Sequence, residues 1–267
     1  MLNKMNKTAN VKQQYSDDKN LAARLKLHAK HSTNKQGFGS WLREKYVFSE
    51  NYRILELGCG NGAQWENKID VLPKGCNITL SDLSDGMVNA VKEKYEKHQS
   101  FAFKQIDIQD INFPDETFDV VVANHMLYHV PDLVKAFSEV KRVLKVGGKI
   151  YAATNGNRGL IPFLHEVFKR FDPDTKAFTH QVSFVLQNGY EMLIKHFSDV
   201  KRLDYEDSLS ITETQDLMDW IKSTITASTI NNIEKYFDDL FVYFEDMRKK
   251  DGAINIPKEV GVFISTK

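Results

Sequence analysis

This sequence predicts an α/β fold built on one open, doubly wound and mostly parallel sheet. Three observations carry that expectation. Short apolar runs alternate with helical patterns, as strand–helix–strand units require. The first run empties into a loop with glycine at every second position. Each of the next three ends in polar groups, at Asp82, Asp107 and Asn124-His125. Polar residues gathered at successive strand ends define one rim, and open parallel sheets bind their ligands there.

The first strand, Arg53-Ile54-Leu55-Glu56-Leu57, runs into Gly58-Cys59-Gly60-Asn61-Gly62. Glycines so spaced let a backbone leave a strand, turn tightly and lie against a ligand with no Cβ in the way. The pattern is G-x-G-x-G, not the G-x-G-x-x-G of dinucleotide sites, and no Gly-Lys-Ser/Thr follows to hold a triphosphate. The second strand, Asn77–Asp82, ends in a carboxylate 82 − 62 = 20 residues beyond the last glycine. An acid there can accept both hydroxyls of a ribose. Phe101–Asp107 is the third strand. Phe118–His125, almost continuously apolar, is the fourth and fits a strand buried on both faces. Gly148–Thr154 is the fifth, and Val200–Glu206 with Val260–Thr266 completes a set of seven.

Helices fill the gaps. Ser84 caps a helix with Met87, Ala90, Val91 and Tyr95 on one face. Pro131 suits the first turn of another, whose Leu133, Ala136, Phe137, Val140, Val143 and Leu144 make a sheet-facing stripe. Gly147-Gly148 ends it. Further helices are expected over Leu160–Phe171 and Val182–Phe197. Ile233, Tyr236, Phe237, Leu240, Phe241, Phe244 and Met247 then recur at helical spacing as core or lid packing.

The order ILELGCGNG, ITLSDLS, QIDIQDINFPDETFDVVVANHMLYHV and LKVGGKIYAAT resembles the class I S-adenosylmethionine-dependent methyltransferases, in the type 11 group that includes UbiE-like enzymes. The resemblance covers roughly residues 50–155 and implies a Rossmann-like sheet whose last strand is antiparallel. It implies a helical N-terminal cover over residues 1–48 and a methyltransferase domain over 49–267. Insertions around 156–198 and 207–256 would form the lid and acceptor site. It also implies S-adenosylmethionine as cofactor, S-adenosylhomocysteine as product and a small organic molecule as methyl acceptor.

Site roles follow from the same resemblance. Gly58, Cys59, Gly60 and Gly62 would cradle the methionine part, though an ordinary tight turn would look the same. Glu56 would orient the loop and the cofactor's ammonium. Asp82 would take the ribose, or merely help cap the Ser84 helix. Asp107 would accept from the adenine amino group with Ile108 offering its backbone, or be a solvated loop acid. Leu83 would pack on the adenine, with Met87 beside it and Asn124 at the donor end. Upstream, Tyr15, Arg24, His28 and Trp41 lie on the cover, where Tyr15 or Arg24 could pair with the methionine carboxylate; ordinary surface helices are the alternative.

The acceptor chemistry is placed after the fourth strand. Asn124, His125 and Tyr128 would line the mouth, with His129 either there or packed beneath the next helix. His125 and His129 are four residues apart, but no H-E-x-x-H pattern or third ligand accompanies them, so no metal is expected. A sulfonium is an activated methyl donor, so the protein must chiefly align the acceptor and exclude water. For an alcohol, phenol or amine a histidine with a near-neutral pKa would serve as base. The residues do not separate O-, N- and C-methylation.

Composition narrows the classes. The 36 basic and 36 acidic residues cancel, leaving no global field to draw in nucleic acid or an anionic membrane. An RNA- or DNA-directed enzyme is argued against further by Asn124-His125-Met126-Leu127, which stands where such enzymes carry Asn/Asp-Pro-Pro-aromatic. A non-catalytic protein on the same fold is a third reading, and Glu56, Asp82 and Asp107 speak against it. Cys59 and Cys76 form no CxxC pair, and the N-terminus lacks an apolar signal core. A cytoplasmic enzyme with reduced thiols is the expectation.

Overall fold

The computed structural model describes residues 19–66, 72–179, 183–224 and 233–267, with side chains from residue 25 onward. Strands β1 (Arg53–Leu57), β2 (Asn77–Asp82), β3 (Phe101–Gln105), β4 (Phe118–Asn124), β5 (Leu144–Asn155), β6 (Ser198–Ile211) and β7 (Ile254–Thr266) form one sheet. Its order is β3-β2-β1-β4-β5-β7-β6. Pairing is parallel from β3 across to β5, while β7 runs antiparallel to both β5 and β6. The doubly wound sheet with an antiparallel last strand is therefore present.

Alternation along the central strands sorts side chains onto two faces. Leu55, Leu57, Val121, Ala123, Ile150 and Ala152 face one apolar core, which the stripe of helix Leu133–Val143 covers. Ile54, Val120, Val122, Tyr151 and Ala153 face the other, with Leu42, Trp65, Val91 and Tyr95. In chain order the helices are α1 (Lys19–His31), α2 (Phe38–Lys45), α3 (Asp85–Tyr95), α4 (Leu133–Val143), α5 (Leu160–Phe168), α6 (Gly189–Leu193), α7 (Thr214–Thr224) and α8 (Phe237–Asp251).

Four expected features differ. Helix α4 ends at Val143 and Leu144 already opens β5, so Gly147-Gly148 lie inside that strand instead of ending the helix. Pro131 stands one residue before the N-cap of α4; Asp132 is the cap and accepts from the Lys135 N–H at 2.9 Å. Residues 183–197 are helical only over α6. Asn188 bonds instead to its own neighbourhood, accepting from Val185 N at 2.8 Å and donating to Ser183 O at 3.1 Å, a local alternative to helical pairing. The last two strands are also far longer than predicted. Asn155 pairs with Val260 at the end of β5, yet Asp207–Ile211 continue to pair with Ile254–Lys258 beyond it.

That overshoot is a two-stranded ribbon standing above the rim. Its Leu209, Ile211, Ile254 and Ile256 join α5, α7, α8 and Leu27 of α1 in a third apolar cluster. In the α8 segment, Ile233, Leu240 and Phe244 are buried, whereas Phe241 is exposed.

Candidate active site

The turn after β1 is set by backbone geometry. Gly58, Gly60 and Gly62 have φ of 70°, 55° and 72°, a left-handed region that side chains with a Cβ resist. A Cβ on Gly58 would lie 2.7 Å from Met126 Cβ, and one on Gly62 would lie 2.6 Å from Val91 Cγ2. The glycines thus also let the post-β4 turn and α3 close on the loop. Tyr95 Oη donates to Gly62 O at 2.9 Å, and Cys59 N donates to Ser81 O at 2.8 Å. Cys59 is buried, which pushes its thiol pKa up.

Two carboxylates flank this loop. Asp82 accepts from Gly60 N at 3.1 Å through one oxygen and from Ser84 N at 2.9 Å through the other. It therefore holds the glycine turn and the start of α3 at once, while Ser84, the N-cap, makes no side-chain cap bond. Burial raises the Asp82 pKa and these backbone donors oppose the rise. Glu56 is buried and accepts from the indole Nε1 of Trp65 at 2.5 Å. Its pKa is pushed up to about 7, by burial first, against the Trp65 bond, with Asp82 adding to the rise.

Further along the rim, Asp107 accepts from Gln109 N at 2.9 Å and from Gln109 Nε2 at 3.1 Å. Ile108 and Met87 are buried, and Leu83 is partly exposed. Gln105 Nε2 donates to Leu83 O at 2.9 Å.

Beyond β4 the chain turns sharply. Asn124 Nδ2 donates to Tyr46 Oη at 2.8 Å, and its Oδ1 is buried with no partner among the described residues. His125 has φ of 52° and donates its N–H to Ala153 O at 2.9 Å. Its ring lies 5.2 Å from that of Phe38. Protein packed round it, then the charge of Lys258, lowers its pKa to about 4. That value lies well below the near-neutral one expected from sequence, which makes the ring a weaker base. Tyr128 and His129 lie on the 3-10 turn Leu127–His129, with ring centres 4.6 Å apart. Among the described residues no three His, Cys, Asp or Glu side chains are grouped to hold a metal ion.

The N-terminal residues fall in different places. Tyr15 lies outside the described residues, and Arg24 is on α1 with its side chain outside them. Trp41 packs on Phe38 and Tyr205 at 5.6 and 5.3 Å. His28 faces the β6–β7 ribbon from α1, with protein burial and the charge of Lys258 lowering its pKa to about 4. Trp65, Tyr46, Phe38, Tyr205 and Lys258 were not singled out from sequence. Tyr46 meets Asn124 and Phe38 meets Tyr205 across long separations, whereas Trp65 reaches Glu56 over only nine residues, and no local motif announces any of them.

A mostly parallel sheet with this order, whose glycine turn is held by the next strand's terminal carboxylate, defines an α/β protein, and open sheets of this kind bind ligands at the strands' C-terminal rim. Residues 55–152 match the family described as methyltransferase domain. The chain is 28% identical over 175 residues to malonyl-[acyl-carrier protein] O-methyltransferase 1 of Ilyobacter polytropus, covering 65% of this chain and 62% of that protein. With malonyl-[acyl-carrier protein] O-methyltransferase 2 of the same organism it shares 27% over 207 residues, 76% of each chain. Among solved structures, the [4+2]-cyclase SpnF superposes with a TM-score of 0.62 over 97% of this chain and 96% of that one, at 15% identity. That likeness is one of fold.

Proposed function

We propose that the protein transfers the methyl group of S-adenosylmethionine to an oxygen, nitrogen or carbon atom of a small organic molecule. One observation carries the reading: the Asp82 carboxylate sits at the end of β2, bonded to the Gly60 N–H. Glu56, Gly58, Cys59, Gly60, Gly62, Asp82, Leu83, Met87, Asp107, Ile108 and Asn124 would hold the cofactor, with Tyr15 and Arg24 from the N-terminal side. The set fits a polar ligand, because Asn124 offers a buried oxygen without a partner among the described residues and two rim acids can accept hydroxyl or amino protons. When bound, the cofactor supplies an already activated methyl group.

The chain's own residues align the acceptor and exclude water. His125 is our first candidate for the acceptor contact, ahead of His129 and Tyr128, because it leaves β4 directly. Residues 1–48 would cover the site, and the insertions 156–198 and 207–256 would close it. The net charge of +0 offers no field for a polymeric nucleic acid. Two free, buried cysteines suit a reducing cytoplasm. Calorimetric titration with S-adenosylhomocysteine and with NAD tests the assignment. We expect S-adenosylhomocysteine to bind and NAD to bind far more weakly; a preference for NAD would overturn it.

A further inference from the structure

Helix α2 stands between two parts of the rim and turns a different side to each. Gly39 and Arg43, one turn apart, meet the 3-10 turn after the glycine loop. Arg43 Nη1 donates to Gln64 O at 2.9 Å, and a Cβ on Gly39 would lie 3.5 Å from Gln64 Oε1. Tyr46, at the helix end, accepts from Asn124 Nδ2 at 2.8 Å. These contacts are neighbours on the rim, because β1 pairs with β4 and Gly58 packs directly on Met126. The other side of α2 carries Phe38 and Trp41. The Phe38 ring lies 5.2 Å from His125 and 5.6 Å from Tyr205, and Trp41 lies 5.3 Å from Tyr205.

The side facing the glycine loop is polar and incomplete. Nε2 of Gln64 and Oδ1 of Asn124 are buried and have no hydrogen-bond partner among the described residues. Arg43 is partly buried, uses two N–H groups on Gln64 O and Ser40 Oγ, and pairs with no carboxylate among those residues. Asn124 donates to Tyr46, so the tyrosine keeps its own proton to give. Buried donors and acceptors without partners are costly, and a ligand that supplies the partners removes the cost. A guanidinium beside an amide N–H suits a carboxylate, whereas the open carbonyl oxygen of Asn124 needs a donor such as an ammonium. A phosphate would satisfy the first and be repelled by the second. An α-amino acid offers both groups.

We infer that Arg43 and Gln64 receive the carboxylate of the cofactor's amino-acid end while Asn124 Oδ1 receives its ammonium, and that seating this end fixes α2 and with it the Phe38 ring beside His125. This rests on the S-adenosylmethionine reading. It adds the residues that distinguish the cofactor from a bare nucleoside, and it links the cofactor to the side chain proposed for the acceptor contact. Without a ligand, α2 is held by Leu42 in the core and by its bonds to Gln64 and Asn124. With the amino acid seated, the open groups gain partners and the helix opens less often.

S-adenosylhomocysteine and methylthioadenosine share the nucleoside and the thioether and differ in the amino acid, so the pair provides the test. Calorimetry should show S-adenosylhomocysteine binding at least tenfold tighter. Gln64→Leu and Arg43→Met should each weaken it tenfold or more and leave methylthioadenosine affinity unchanged. Amide exchange over α2 should slow at least threefold with S-adenosylhomocysteine and stay at the unliganded rate with saturating methylthioadenosine. Equal affinities for the two ligands, an equal loss of both in the variants, or exchange slowed alike by both would overturn the inference while the cofactor assignment stood. Binding of neither nucleoside would remove both. If the variants do not fold, the wild-type affinities and exchange rates decide.

Discussion

The indole N–H of Trp65 donates to the Glu56 carboxylate at 2.5 Å, tying the 3-10 turn after the glycine loop back to β1. Neither side chain has another exit: both are buried, and the sheet closes over them with Tyr95 and Phe101. A charged carboxylate here is costly, and its folded pKa of about 7 expresses that cost.

Glu56→Gln should therefore raise stability at alkaline pH while weakening the cofactor site. The unfolded carboxyl releases its proton near 4.5 and the folded one near 7, so the folded protein loses stability as pH rises through that window. The full linkage is on the order of 3 kcal/mol. At pH 8 the variant should melt higher than the wild type, and at pH 4.5 the difference should vanish. Thermal denaturation at the two pH values, with S-adenosylhomocysteine titration beside it, checks both halves. A variant that melts lower at pH 8 would show that the Trp65 bond needs the charge.

Asp82→Ala removes one side chain that holds two backbone N–H groups. Bonds to a charged acceptor contribute roughly 1.5–3 kcal/mol each, so affinity for S-adenosylhomocysteine should fall about tenfold to a hundredfold. The folded state should persist, because the sheet core does not depend on this residue. Unchanged affinity by calorimetry would reassign Asp82 to holding the Gly60 turn and the start of α3.

What sequence could show follows from the range of the forces involved. The central strands were legible because each must be apolar on both faces, and the rim acids because they end those runs. The ribbon was not. Its inward residues Leu209, Ile211, Ile254 and Ile256 alternate with Ser208, Ser210 and Asn255, and Pro257 reads as a breaker although it pairs with Ser208 on this extension. Asn188 likewise turned an apolar segment from helix to turn through two bonds that composition cannot reveal. In the site, Asp82 and His125 were visible as strand-end residues. Lys258, 133 residues beyond His125 (258 − 125), enters only when β7 doubles back along β5.

Asp216 should prove to be the anchor of the N-terminal helix. Buried on α7, it accepts from His31 Nε2 and Lys30 Nζ, both at 2.8 Å, and pairs with Lys26 at 3.4 Å. The Lys30 bond is the largest cause of its depressed pKa, about 2. Lys26 and Lys30 are exposed and solvent weakens their share, so Asp216→Asn should cost roughly 1–3 kcal/mol, most of it through His31. Amide exchange over α1 should quicken while β1 and β4 stay protected. Exchange in α1 at the wild-type rate would mean that Leu27 and its apolar neighbours hold the helix without the ion pairs.

Acid should loosen the fold through His28 and His125. Each has a folded pKa near 4 against 6.5 when unfolded, lowered first by the protein around it and next by Lys258. A group with a depressed folded pKa binds its proton more readily in the unfolded chain, so stability is intact above 6.5 and falls as pH drops toward 4. Each ring contributes at most about 3 kcal/mol over that interval. Glu56 works in the opposite direction across an overlapping window, gaining as pH falls from 7 to 4.5, so Glu56→Gln is the background in which to measure. There the melting temperature should drop between pH 7 and pH 4.5, and adding His125→Gln should flatten about half of the slope. Lys258→Met should flatten part of it as well, by relieving the cation that faces both rings. An acid limb equally steep with and without His125 would place the protonation elsewhere in the protein.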